Sequence, residues 1–137
     1  MINILSFLTP KSETLYLNNN STIRQTLERF DYYKYSVVPL LDDEGKYVTT
    51  ISEGDILRYI KNDAYFDIRI AESVKVGNIE KYRPYKALTI FSSFEEVVKL
   101  SLEQNFIPII DGRGVYIGII KRKSIIDFLV KNVNLTI

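Results

Sequence analysis

The sequence predicts a mixed fold of helices and strands made from one unit written twice, each copy running strand, helix, two strands, helix. The first observation behind this is internal repetition. Sliding the chain along itself gives matches at an offset of 69 residues, with Pro39 falling on Pro108, Asp42 on Asp111, Gly45 on Gly114, Tyr47 on Tyr116, Ile51 on Ile120 and Ile56 on Ile125. Apolar character is kept between these identities, as in Val38 with Ile107, Leu57 with Ile126 and Tyr59 with Phe128. The second observation is that each copy passes through the same series of patterns: helical spacing, two short β-branched runs around a polar turn, then helical spacing again.

Residues 1–13 come before the repeated pattern and are read as an N-terminal extension. Their apolar run is too short for a membrane span, and no basic region precedes it as a secretion signal requires, so a cytoplasmic location is expected. The first repeat covers 14–61. "TLYL" (14–17) supplies a strand, and Thr22 with Gln25 has the capping-box spacing that satisfies free N–H groups at a helix start. Ile23, Leu27 and Phe30 follow at helical spacing. "VVPLL" and "YVTTI" are too short and too β-branched for helices and flank the turn "DDEGK". A second helix turns Ile56, Leu57 and Ile60 inward.

Residues 62–84 have mixed charge and no sustained period, and read as a connecting segment. The second repeat, 85–131, restates the pattern. "ALTIF" (87–91) gives a strand, Ser93 with Glu96 a capping box, and Phe94, Val97, Val98 and Leu102 an apolar stripe. "IPII" and "VYIGII" flank "DGRG", and a last helix turns Ile125, Ile126 and Leu129 inward. Residues 132–137 are a tail. The step from helix start to proline is two residues shorter here than in the first repeat, so its first helix or its exit is tighter.

At 137 residues the chain is expected to form one compact unit burying about two-thirds of its unfolded surface. Its 18 Lys and Arg balance 17 Asp and Glu, so no field strong enough to attract nucleic acid or an acidic membrane is expected. Any anion binding is local. The absence of Cys and His removes thiolate nucleophiles, imidazole bases and nearly all zinc, copper and iron-sulfur chemistry. Carboxylates could still hold Mg²⁺ or work as an acid-base pair, but no tight Asp/Glu cluster suggests it. No enzyme, metal or cofactor is expected.

The stretches "YSVVPLLDDEGKYVTTISEGDILRYI" (35–60) and "NFIPIIDGRGVYIGIIKRKSIIDFL" (105–129), each following a capped helix, resemble a tandem pair of CBS domains, the Bateman module, of the stand-alone bacterial type. The resemblance implies an α+β fold of two pseudo-symmetric β-α-β-β-α repeats, with clefts between them that bind adenosine ligands such as AMP, ADP, ATP, S-adenosylmethionine or cyclic di-AMP. It also implies association into a homodimer and regulation of a protein partner.

The family's strand-to-helix motif is Gly-h-h-Thr-x-x-Asp, with h apolar, its hydroxyl and helix start meeting phosphate and its aspartate the ribose. Here Ser52 and Asp55 match in the first repeat, with Thr49 in the glycine's place. In the second repeat Gly118 matches, but Lys121 replaces the hydroxyl residue and Ser124 the aspartate. Val37, Val38, Phe106 and Ile107, beside Pro39 and Pro108, are expected to flank the adenine, and Ser52, Asp55, Lys121, Arg122 and Ser124 to take sugar and phosphate.

The residues alone leave two readings of Ser52-x-x-Asp55, a variant capping box or a ligand site, and these do not exclude each other. "KRK" at 121–123 sets three cations at a helix start, where the dipole disfavours each by roughly 0.3–1 kcal/mol and a bound anion would relieve the repulsion. Arg122 can offer a fork to phosphate and Lys121 a point charge. The expected function is an adenine-nucleotide sensor, with cyclic di-AMP or AMP, ADP or ATP as ligand. The alternatives are a ligand-free dimerisation scaffold and, from a third class, a Mg²⁺-dependent enzyme.

Overall fold

The computed structural model describes residues 2–63 and 65–133. After a 3₁₀ turn at Ile4–Phe7 come β1 (Leu8–Pro10), a second 3₁₀ turn at Lys11–Glu13, β2 (Leu17–Asn18), α1 (Ile23–Tyr33), β3 (Val37–Leu41), β4 (Tyr47–Ser52) and α2 (Glu53–Asn62). Then follow α3 (Ile68–Ser73), a 3₁₀ turn at Val76–Asn78, β5 (Leu88–Thr89), α4 (Phe94–Ser101), β6 (Phe106–Ile110), β7 (Tyr116–Lys121) and α5 (Arg122–Asn132). This is the predicted α+β order, repeated.

The expected single compact unit is instead two, Leu15–Pro84 and a second that joins the chain up to Thr14 to the chain from Tyr85 onward. The reason lies in where the apolar residues go. Each unit has its own core: Ile23, Val38, Leu40, Ile51 and Ile56 anchor one, and Val97, Ile107, Ile109, Ile120 and Ile125 the other. The stretch read as a connection forms α3 and puts Ala71, Val76 and Ile79 into the first core. The stretch read as an extension puts Ile4 into the second.

In Leu15–Pro84 the sheet order is β2-β3-β4, parallel and then antiparallel. The second unit repeats this as β5-β6-β7 but adds β1 antiparallel to β7, with Leu8 opposite Ile120 and Pro10 opposite Gly118. Three strands were expected in each half, and the fourth has a steric signature. Gly118 has φ 148°, and a Cβ there would stand 2.2 Å from the Thr9 carbonyl oxygen, so only glycine lets β1 lie so close. Thr49 occupies the equivalent place in β4, where no strand among the described residues pairs with the outer edge.

The local signals read from sequence are present. Thr22 and Ser93 each cap a helix with a complete capping box. Asp42 accepts N–H bonds from Glu44 and Lys46, Asp111 from Arg113 and Val115, and Gly45 and Gly114 take φ of 81° and 85° to close the two turns. α4 has 8 residues against 11 in α1, which is the shorter step to proline.

Some apolar positions are not where the spacing put them. Leu57 and Ile126, equivalent in the two repeats, are 56% and 49% exposed rather than inward, and Leu102 is exposed as well. Leu27 lies partly in solvent while Thr26 is buried, its hydroxyl donating to the Thr22 carbonyl so that a polar side chain is satisfied in the core.

Candidate functional site

Each repeat ends in a strand that turns into a helix, and the helix start is the site in question. Both are held in the same way: the first helical N–H donates to a carbonyl just before the proline strand, Glu53 to Ser36 and Arg122 to Asn105. The amides of the next residues are left for a cap or a ligand.

At α2 the cap is complete. The Ser52 hydroxyl accepts from the Asp55 N–H at 3.0 Å, and Asp55 Oδ2 accepts from the Ser52 N–H at 3.0 Å. Asp55 Oδ1 accepts a further bond, from the Tyr82 N–H at 3.1 Å, and the residue is only 4% exposed. Arg58 reaches back along the helix, its guanidinium 4.3 Å above the Tyr82 ring and one Nη 3.7 Å from where a Cβ on Gly54 would lie. Lys81 donates from Nζ to the Val76 carbonyl at 2.6 Å; burial pulls its pKa below the usual lysine value, and the Asp55 carboxylate pulls the other way. Two cations and an aromatic ring therefore lie around this helix start.

Arg58 was missed in the sequence, although its place one turn beyond Gly54 on the same helix face was a signal for it. Lys81 and Tyr82 left no such signal, because 27 residues separate Tyr82 from Asp55.

At α5 the start is open. Lys121 occupies the cap position with no side-chain bond, no acidic residue sits in the first turn, and Ser124 holds the place of Asp55. Lys121 and Lys123 are exposed. Arg122 is partly committed, its Nε donating to the Ser101 carbonyl at 2.6 Å, so the expected fork rests on its two Nη groups.

The apolar flank divides. Val37 and Phe106 are half-buried, and the strand register sets Val37 opposite Ser52 and Phe106 opposite Lys121. Phe106 packs on Tyr85 with ring centroids 4.8 Å apart, and Tyr85 was missed in the sequence. Val38 and Ile107 are a correction: each is 1% exposed within its own core, because side chains alternate along a strand and these two point inward. Neither can touch an adenine there. Pro39 and Pro108 are buried too.

The sequence profile of the CBS domain matches residues 8–62 and again 77–131. The chain belongs to the CBS-domain family. As a CBS pair it is similar in fold to several solved structures. Over 95% of this chain and 88% of the other it aligns with a CBS domain protein from Streptococcus pneumoniae, at 24% identity and a TM-score of 0.83. With CbpB from Listeria monocytogenes, solved in complex with c-di-AMP, the values are 98% and 100%, 20% identity and 0.81. With CBSX2, solved in complex with AMP, they are 94% and 96%, 22% identity and 0.73. A search of curated proteins gave no match. Among the described residues, no helix of this CBS pair is long and apolar enough to cross a membrane, and no group of three or more carboxylates is placed to hold a metal ion.

Proposed function

We propose that this CBS pair is a regulatory sensor that binds an adenine nucleotide at its strand-to-helix turns, acts as a homodimer in the cytoplasm, and reports occupancy to a protein partner without turning the ligand over. The observation that carries the reading is the pair of equivalent helix starts, one lined by Ser52 and Asp55 and the other uncapped and cationic. A helix start with free amides is already an anion site, and cations beside an uncapped one make sense once a phosphate docks there. Two proteins similar in fold were solved with c-di-AMP or AMP, in keeping with this ligand class.

Ser52 and the Gly54 amide in the first turn of α2 would take phosphate, and Asp55 ribose hydroxyls. Lys121 and the Nη groups of Arg122 would take phosphate at α5, with Ser124 on the sugar. Val37 and Phe106 would flank the base. Cyclic di-AMP is the first candidate because α5 is basic; AMP, ADP and ATP follow, since a vicinal diol suits Asp55. Calorimetric titration with each of these tests the reading, and Lys121→Ala should weaken binding and flatten its salt dependence. Full-length protein that binds none of them would end it.

A scaffold without ligand is the second reading, favoured by the row of Ile126 and Val130 exposed on α5 and Val133 exposed at its C-cap. A second copy would cover this row, rather than the buried Ile56 and Ile125. Light scattering that shows a monomer at tens of micromolar, roughly the range where weak dimers persist, would remove the homodimer.

A further inference from the structure

Residues 79–84 leave the 3₁₀ turn at Val76–Asn78 and pass the first turn of α2, where they are fastened at successive positions. Ile79 is buried in the core of this unit, Lys81 is tied by Nζ to the Val76 carbonyl, the Tyr82 N–H is bonded to Asp55, and the Tyr82 ring lies under Arg58. Both grips on Tyr82 come from α2. The Asp55 carboxylate thus has one oxygen on its own helix cap and the other on the passing chain.

Each carboxylate oxygen has two lone pairs, so Asp55 retains the capacity to accept further donors. What it lacks is access, being almost wholly covered. Ser124, at the equivalent place in α5, is half-buried and has no such bond to passing chain among the described residues. Resting on the nucleotide reading above, we infer that residues 80–84 are a displaceable strap over the Asp55 site: a ribose hydroxyl reaches the carboxylate by displacing Tyr82, so occupancy loosens the chain that leads into the second repeat. The strap sets an opening cost on the first site alone and gives it a readout in the backbone.

The test follows the Tyr82 amide by hydrogen exchange in the full chain. Without ligand it should be protected. With saturating AMP, ATP or cyclic di-AMP its protection should fall about tenfold while the Ser52 amide stays protected, and trypsin should cut faster after Lys81. 2′-Deoxy-AMP, with one hydroxyl fewer, should release it less. Calorimetric binding with unchanged or increased Tyr82 protection would overturn the strap and leave the sensor standing.

Tyr82→Ala removes a half-exposed ring without entering the core, and should tighten nucleotide binding severalfold, since the competent state is then populated in advance. Weaker binding by this variant would make Tyr82 a ligand contact and overturn the strap. Binding by the variant but not by the natural protein would support it outright, and binding by neither would overturn the strap and the sensor together.

Discussion

The starts of α2 and α5 stand 69 residues apart in equivalent places, and the backbone around them is nearly the same. Both take a first N–H bond to the carbonyl before the proline strand, both follow a strand with an irregularity at the same step, and both repeats carry the same aspartate-glycine turn. The side chains then part ways. α2 is closed by its own carboxylate and by Tyr82, while α5 is left uncapped with three cations. The duplicated scaffold has kept the groups that hold chain geometry and varied the groups that would face a ligand. The polar differences fall where the proposed nucleotide would sit, and the apolar likeness holds the fold.

The largest contrast should come from the glycine position. Gly118→Ala forces a Cβ into the Thr9 carbonyl at a backbone angle alanine avoids, so β1 must leave β7, at a cost on the order of 3 kcal/mol. Thr49→Gly at the equivalent place should cost about 1 kcal/mol or less, the ordinary penalty for glycine in a strand. Urea denaturation of both variants measures the difference, and equal costs would show that β1 is not held as described.

Next in size is the polar position. Asp55→Ala removes half of a capping box and leaves the Tyr82 N–H unpaired, which should lower stability by about 2 kcal/mol, whereas Ser124→Ala should be near neutral. A smaller pair sharpens the cationic start. Arg122→Ala loses the bond to the Ser101 carbonyl and should cost about 1 kcal/mol, while Lys121→Ala relieves the dipole and should stabilise the free protein by about 0.3–1 kcal/mol. Thermal unfolding at low and high salt separates them, because only the dipole effect is screened.

The smallest effect belongs to the turn. N–H bonds from Arg113 and Val115 hold the Asp111 carboxyl below its usual pKa. A depressed carboxyl favours the folded state above its unfolded pKa and loses that contribution as pH falls through its folded value. Acid unfolding of Asp111→Asn should therefore run parallel to the natural protein in strongly acidic solution and diverge from it toward neutrality. Parallel curves throughout would deny the turn this role.

What could be read in the sequence was whatever neighbours in the chain decide. The capping boxes at Thr22 and Ser93, the turns at Asp42 and Asp111 and the short β-branched strands are set within a few residues, and they appear as read. What escaped depends on contacts between distant parts of the chain. Gly118 looked like a motif residue, and its steric reason became visible only with β1 beside it. Tyr82 on Asp55 left no local pattern. Helical spacing alone could not tell Thr26 from Leu27, nor whether Leu57 and Ile126 face inward, since a wide apolar stripe extends past the core. At the site, the motif positions were legible, while the burial of Val38 and Ile107 followed from strand alternation that the run "VVPLL" does not display.

The joining of the first residues to the second repeat has a consequence for how the chain is made. Leu15–Pro84 is continuous and holds a core of its own, so it can close while the rest is still being synthesised. The other unit cannot. Its N-terminal piece meets its partner strand only when β7 has emerged, and the hydroxyls of Thr14 and Tyr116, bonded at 2.8 Å, are 102 residues apart in sequence. Until then Ile4 and β1 have no place to go. A ribosome stalled once Pro84 has cleared the exit tunnel should carry one folded repeat behind an unpaired leading end, with the second core assembled last.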